Sequence, residues 1–169
     1  PPDTTPETTQ PLVAVERLAV GDSVMLGAAE QLTGLGFVVN ASESRAWVNG
    51  LDYIERLGAQ GLLPQILVIH LGTNSRIGQN EMDRMMAAVA TVPQVLLIRN
   101  DIPTARDVEA ANNALITATA DQYDNVETLY WDGLAKACPD PDCFQVDGYH
   151  LRIPGREYYA ALIADVLGL

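Results

Sequence analysis

The chain has 169 residues, 48% of them apolar, with ten basic against 22 acidic side chains and two each of histidine and cysteine. That length supports one domain with a core of its own. A net charge of −12 argues against a nucleic-acid surface or an anionic-membrane binder, because both need a cationic face. No apolar run approaches the length of a membrane span, and nothing near the start resembles a signal peptide.

Residues 1–11, PPDTTPETTQP, hold prolines and threonines and no large apolar side chain. They cannot offset ordering entropy by burial, and they read as a linker before a folded domain over 12–169. An ordinary frayed terminus is the alternative. The chain does not begin with methionine, and the expectation is a fragment or processed form.

From there apolar runs alternate with helical patterns. Leu12–Val20 predicts a strand, Val24–Leu32 a helix, Phe37–Asn40 a short strand and Trp47–Leu57 an amphipathic helix. Ile66–Leu71 predicts a strand apolar on both faces, Asn80–Ala90 a helix and Gln94–Ile98 another buried strand. Val108–Ala120 follows as a helix, Val126–Trp131 as a fifth strand and Glu157–Leu167 as the closing helix. Continuous apolar strands alternating with helices indicate a parallel sheet covered on both faces. The expectation is a single α/β domain, a three-layer α/β/α sandwich with about five parallel strands. Chemistry in such sheets sits outside the carboxyl ends of the strands. That rule selects Gly21-Asp22-Ser23, Asn40–Trp47, Gly72-Thr73-Asn74, Asn100–Pro103 and Trp131–Leu151.

Ser23 lies between a strand end and a helix start, where its hydroxyl is exposed and its N–H can face a developing oxyanion. A plain helix cap is the simpler reading of GDS alone. Asn74 in LGTN would bring an amide donor to the same edge, or serve an ordinary turn. Asp147 stands three residues before His150, close enough to accept a hydrogen bond from one ring nitrogen and leave the other free for a serine proton. A solvated loop histidine beside an acid is the alternative. His70, inside an apolar run, reads as a core histidine. No ligand spacing supports a metal site. Cys138 and Cys143 flank PDPD; a disulfide there would hold the Asp147–His150 segment and fit an oxidising compartment, and two free thiols are the alternative. Trp47, Trp131 and Tyr149 fall near the active edge, where they could stack on sugar rings or pack the core.

Taken together, GDS at 21–23, GTN at 72–74 and DGYH at 147–150 resemble the blocks of the SGNH (GDSL-type) hydrolase superfamily, over about Leu18–Leu169. The second block departs: Ser44 stands where the superfamily usually has its oxyanion-hole glycine. Beside it, Arg45 could anchor the loop or face substrate. The resemblance implies a Ser23–His150–Asp147 triad and an oxyanion hole formed by the Ser23 N–H, the Ser44 N–H and the Asn74 side chain, with no cofactor. The longer matches GDSVMLGA, SRAW, LGTN and DGYHL are similar to extracytoplasmic domains of peptidoglycan O-acetyltransferases. They imply a membrane acyltransferase domain as fused or supplying partner, an acyl-ester donor and a glycan acceptor. They also imply an extracytoplasmic or secreted location, and the isolated domain is expected to be monomeric. A secreted carbohydrate esterase, or a catalytically silent glycan-binding domain, are the alternatives.

Overall fold

The computed structural model describes residues 13–169; the proposed linker at 1–11 lies outside them. Five strands form one parallel sheet: β1 (Arg17–Gly21), β2 (Val38–Ala41), β3 (Ile66–His70), β4 (Gln94–Ile98) and β5 (Val126–Leu129). Their order is β2-β1-β3-β4-β5, so the chain reverses its direction of propagation between β1 and β3. In such sheets that reversal leaves a crevice at the carboxyl ends of the two strands. Among the described residues seven α-helices accompany the sheet: α1 (Ser23–Gly27), α2 (Ala29–Gly34), α3 (Trp47–Ala59), α4 (Gln79–Val89), α5 (Arg106–Ala120), α6 (Trp131–Leu134) and α7 (Ile153–Leu167).

Each strand interior feeds both faces, which accounts for the unbroken apolar runs. Leu18, Val20, Leu67, Ile69, Val95 and Leu97 pack with α3, α4 and α5, whereas Ala19, Val68, Leu96 and Ile98 pack with α1, α2 and α7. The three-layer expectation therefore holds, with five parallel strands.

Several boundaries move, each for a physical reason. β1 is shorter than Leu12–Val20 because only Arg17–Gly21 finds parallel partners on its neighbours. The first helix is two: α1 ends at Gly27, and Ala28, at φ −101° and ψ 13°, turns the chain into α2. Trp131 leaves β5 to begin α6, its indole buried and edge-on to Tyr159 at 5.0 Å. The last helix begins four residues early, at Ile153. Pro154 is tolerated there because first-turn N–H groups have no intrahelical acceptor. Among the described residues no helix is long and apolar enough to cross a membrane.

Candidate active site

Ser23 directly follows β1 and opens α1, with Asp22 as the cap: the Asp22 carboxylate accepts from the Val24 N–H at 3.1 Å. Capping and exposure of the serine are thus compatible, since Asp22 takes the capping role and leaves the Ser23 hydroxyl free. His150 Nε2 stands 2.9 Å from Ser23 Oγ, across 127 residues of sequence. His150 Nδ1 stands 2.8 Å from Asp147 Oδ2. The second Asp147 oxygen accepts from the backbone N–H groups of Tyr149 (3.1 Å) and His150 (3.0 Å). Partial burial pushes the Asp147 carboxyl up, but the hydrogen bonds from the His150 ring and from these two N–H groups outweigh it and hold the acid below the usual range. A carboxylate so placed can hold the Nδ1–H tautomer, which would leave Nε2, the ring atom facing Ser23 Oγ, able to accept a proton.

A compact loop presents this pair. Cys143 O accepts from Arg152 N at 2.9 Å, and Gln145 N donates to His150 O at 2.8 Å, with Phe144 and Leu151 bridged antiparallel. The loop is pinned at its base by the Cys138–Cys143 disulfide, whose Cα atoms are 6.5 Å apart. Gly155 lets α7 press against this base: any Cβ there would overlap Cys143 O.

Asn74 and Ser44 complete the ring around Ser23. A cleft of about 470 Å³ is lined by Ser23, Ser44, Asn74, Tyr149, His150 and Arg156, with Glu43 at its rim. Ser44 has φ 55° and is the sole non-glycine with positive φ among the described residues. Ser44 thus holds the left-handed conformation that a glycine adopts freely. Neither the Ser23 N–H nor the Ser44 N–H is taken up by another group among the described residues. Asn74 Nδ2 lies 3.4 Å from Arg45 O. Arg45 itself anchors the loop, donating to Asn40 O at 2.7 Å and Asn40 Oδ1 at 2.6 Å, with its guanidinium over the Tyr53 ring.

Other expectations fall differently. Trp47 and Trp131 are buried, which removes them as sugar-stacking platforms; only Tyr149 lines the cleft, its ring 4.3 Å from that of His150. His70 is buried and shares a 2.8 Å hydrogen bond with the Tyr159 hydroxyl, as a core histidine should. The Asn100–Pro103 segment is a structural node: Asn100 exchanges backbone hydrogen bonds with the Asn113 side chain at 2.7 and 2.8 Å. Among the described residues no group of three or more His, Cys, Asp or Glu could hold a metal ion.

Sequence reasoning missed the residues that set the GTN turn. Buried Asn112 on α5 donates to Gly72 O and Ser75 O, both at 2.9 Å, and accepts from Ile77 N at 2.9 Å. Gly72 has φ +113°, and a Cβ there would sit 2.8 Å from Asn100 Nδ2, so no other residue fits that turn. The available signal was the Asn112-Asn113 pair on the inward face of a predicted helix, where two amides need a reason to be buried.

The comparisons bear on this arrangement. No protein-family model and no curated protein matches the sequence. Among solved structures, the catalytic domain of Streptococcus pneumoniae peptidoglycan O-acetyltransferase A superposes with a TM-score of 0.79 at 20% identity, covering 92% of this chain and 94% of that one. A lipase/acylhydrolase from Enterococcus faecalis gives 0.65 at 16% identity over 89% and 95% of the two chains. The chain has the SGNH/GDSL hydrolase fold. A family 3 carbohydrate esterase from Clostridium thermocellum, at 0.64 and 13% identity over 90% and 94%, has a similar fold. Within the SGNH fold the Ser23, Ser44, Asn74 and Asp147–His150 loops all meet at the carboxyl edge of β1, β2 and β3.

Proposed function

We propose that this domain is a serine acyltransferase that moves an acetyl group onto a glycan hydroxyl through an acetyl-Ser23 intermediate. The observation that carries the reading is the continuous Asp147–His150–Ser23 relay, with links of 2.8 and 2.9 Å. Ser23 Oγ attacks the ester carbonyl as its proton passes to His150 Nε2, and Asp147 stabilises the cation so formed. The carbonyl oxygen, now negative, is held by the Ser23 N–H, the Ser44 N–H and the Asn74 amide. His150 then returns its proton to the departing alcohol, leaving acetyl-Ser23. An acceptor hydroxyl enters on the same side, loses its proton to His150 and takes the acetyl group, and Ser23 is restored.

Three features favour transfer to a cell-wall or surface glycan. The sequence blocks resemble those of peptidoglycan O-acetyltransferases, the fold likeness to such a catalytic domain is high, and the Cys138–Cys143 disulfide fits an extracytoplasmic location. A membrane acyltransferase domain as the source of acyl groups belongs to the same reading. Hydrolysis is the second reading, favoured by the exposure of Asn74 and Asp147, which admits water to the acyl-enzyme.

Incubation with 4-nitrophenyl acetate, with and without a chitooligosaccharide, tests both. Acetylated glycan supports the transferase and acceptor-independent hydrolysis the esterase. In Ser23→Ala the release of 4-nitrophenol and the acetyl-enzyme mass should both vanish with the fold intact. Turnover near the wild-type rate in that variant would sink the assignment.

A further inference from the structure

Arg17, Arg56, Arg76 and Arg156 have no ion pair among the described residues, and of the four Arg156 alone lines the cleft that holds Ser23 and His150. Arg84, Arg99, Arg106 and Arg152 each pair with a carboxylate, at 2.7, 2.7, 2.9 and 3.4 Å respectively. Arg156, at the start of α7, forms no ion pair among the described residues, although Asp142 and Asp147 line the same wall. Its Nε donates to Leu151 O at 3.2 Å, which leaves the terminal nitrogens of the fork uncommitted. The side chain is half-buried and lines two hollows at once: the cleft holding Ser23 and His150, and an adjoining groove of about 950 Å³. A guanidinium partly withdrawn from water and lacking a carboxylate partner is poised to take one from a ligand.

The position also says which part of the substrate it would meet. Only the alcohol oxygen exchanges a proton with His150, so the alcohol lies on the His150 side. Arg156 is hung from the carbonyl of the residue that follows His150, and therefore belongs to the alcohol side.

We infer that Arg156 is a specificity-determining residue that binds a carboxylate carried by the acyl acceptor, the inference resting on the acyl-transfer reading above. One carboxylate fits better than a phosphate dianion or a polyanion. Glu43 faces the same cleft, Asp142 and Asp147 line the adjoining groove, and the chain carries −12 overall, all of which penalise further negative charge. In the transfer step the acceptor O–H gives its proton to His150, its oxygen bonds to the acetyl carbon, the Ser23 Oγ–carbon bond breaks, and Ser23 Oγ regains the proton. The carboxylate takes no part in that exchange; Arg156 orients the hydroxyl beside it.

Because the leaving and accepting alcohols share one site, an ester pair reads the effect: 3-acetoxybenzoate, whose leaving group carries the carboxylate, against its neutral methyl ester. The quantity is the ratio of their kcat/KM values in wild type and variants, in which intrinsic ester reactivity cancels. Arg156→Gln should lower the ratio about tenfold or more, with the neutral ester changed no more than about twofold and an unaltered circular dichroism spectrum. Arg156→Lys, which keeps the charge and loses the fork, should fall between. An equal loss for both esters would make Arg156 a prop for the His150 loop and overturn the inference. So would an unchanged ratio with acetyl-Ser23 still forming. Absence of acetyl-Ser23 from either ester in wild type overturns the acyl-transfer reading and this inference with it.

Discussion

Ser75 Oγ accepts a hydrogen bond from the Trp47 backbone N–H at 3.0 Å. The loop that carries Asn74 is thereby tied to the N-terminus of α3, which has no capping side chain of its own. Trp47 lies three residues beyond Ser44, so this bond ties together the loops of Ser44 and Asn74, the two proposed outer oxyanion donors. Asn112 locks the Asn74 loop from below through Gly72, Ser75 and Ile77. In the proposed mechanism these bonds would preorganise the donors.

Ser44 pays a conformational cost at φ 55° of about 1 kcal/mol relative to glycine. Ser44→Gly should therefore be neutral to stabilising, by up to about 1 kcal/mol, the gain being reduced by the extra freedom of glycine in the unfolded chain. Turnover should stay within about threefold, because the N–H proposed as an oxyanion donor is retained. Ser44→Val should destabilise by about 1–2 kcal/mol and lower turnover, since a β-branched residue fits that conformation poorly. Thermal unfolding and 4-nitrophenyl acetate hydrolysis on the three proteins check both statements.

The disulfide closes a loop with a sequence separation of five, for which chain entropy gives about 2 kcal/mol of stabilisation. Reduction, or the Cys138→Ser/Cys143→Ser double variant, should lower Tm by several degrees. It should also lower turnover more than binding, because Cys143 is the base of the loop that presents Asp147 and His150. Equal kcat values for the oxidised and reduced protein would show that the loop is held without it.

His70 gives a pH dependence of stability. Burial lowers its pKa from the ordinary imidazole value of 6.5, opposed in part by the charge of Asp22, and Tyr159 is the neutral partner on Nδ1. The folded protein thus binds fewer protons than the unfolded chain below about pH 6.5. Stability from the neutral ring is present above that value and is lost as pH falls toward the lower folded pKa. Between about pH 7 and 5 the urea midpoint should drop, and His70→Gln, able to keep a bond to Tyr159, should flatten the slope. An identical slope in wild type and variant would contradict the assignment.

Much of the candidate site's geometry was legible in the sequence because each block combines local requirements. GDS needs a capping acid before an exposed serine, and Asp147 reaches His150 within three residues, so short-range geometry suffices. The same locality explains the errors. Val24, Met25, Ala28 and Leu32 share one helical stripe, and nothing in that stripe reports the turn at Ala28. Trp131 continues the β-rich run of β5, and only its seat against Tyr159 takes it out of the strand.

The amino-acid sequence by itself determined the layered α/β architecture, the Asp147–His150 couple and the candidate serine, since periodicity and short spacing are properties of neighbours in the chain. Charge alone also disfavoured nucleic acid. Tertiary structure decided the rest. Strand order 2-1-3-4-5 set Ser23 and Asn74 on adjacent strand ends. Contact across 127 residues joined His150 to Ser23, and burial separated Trp47 and Trp131 from the cleft. Arg156 acquired its meaning only there as well, because whether a charge has a partner depends on what the fold brings near it.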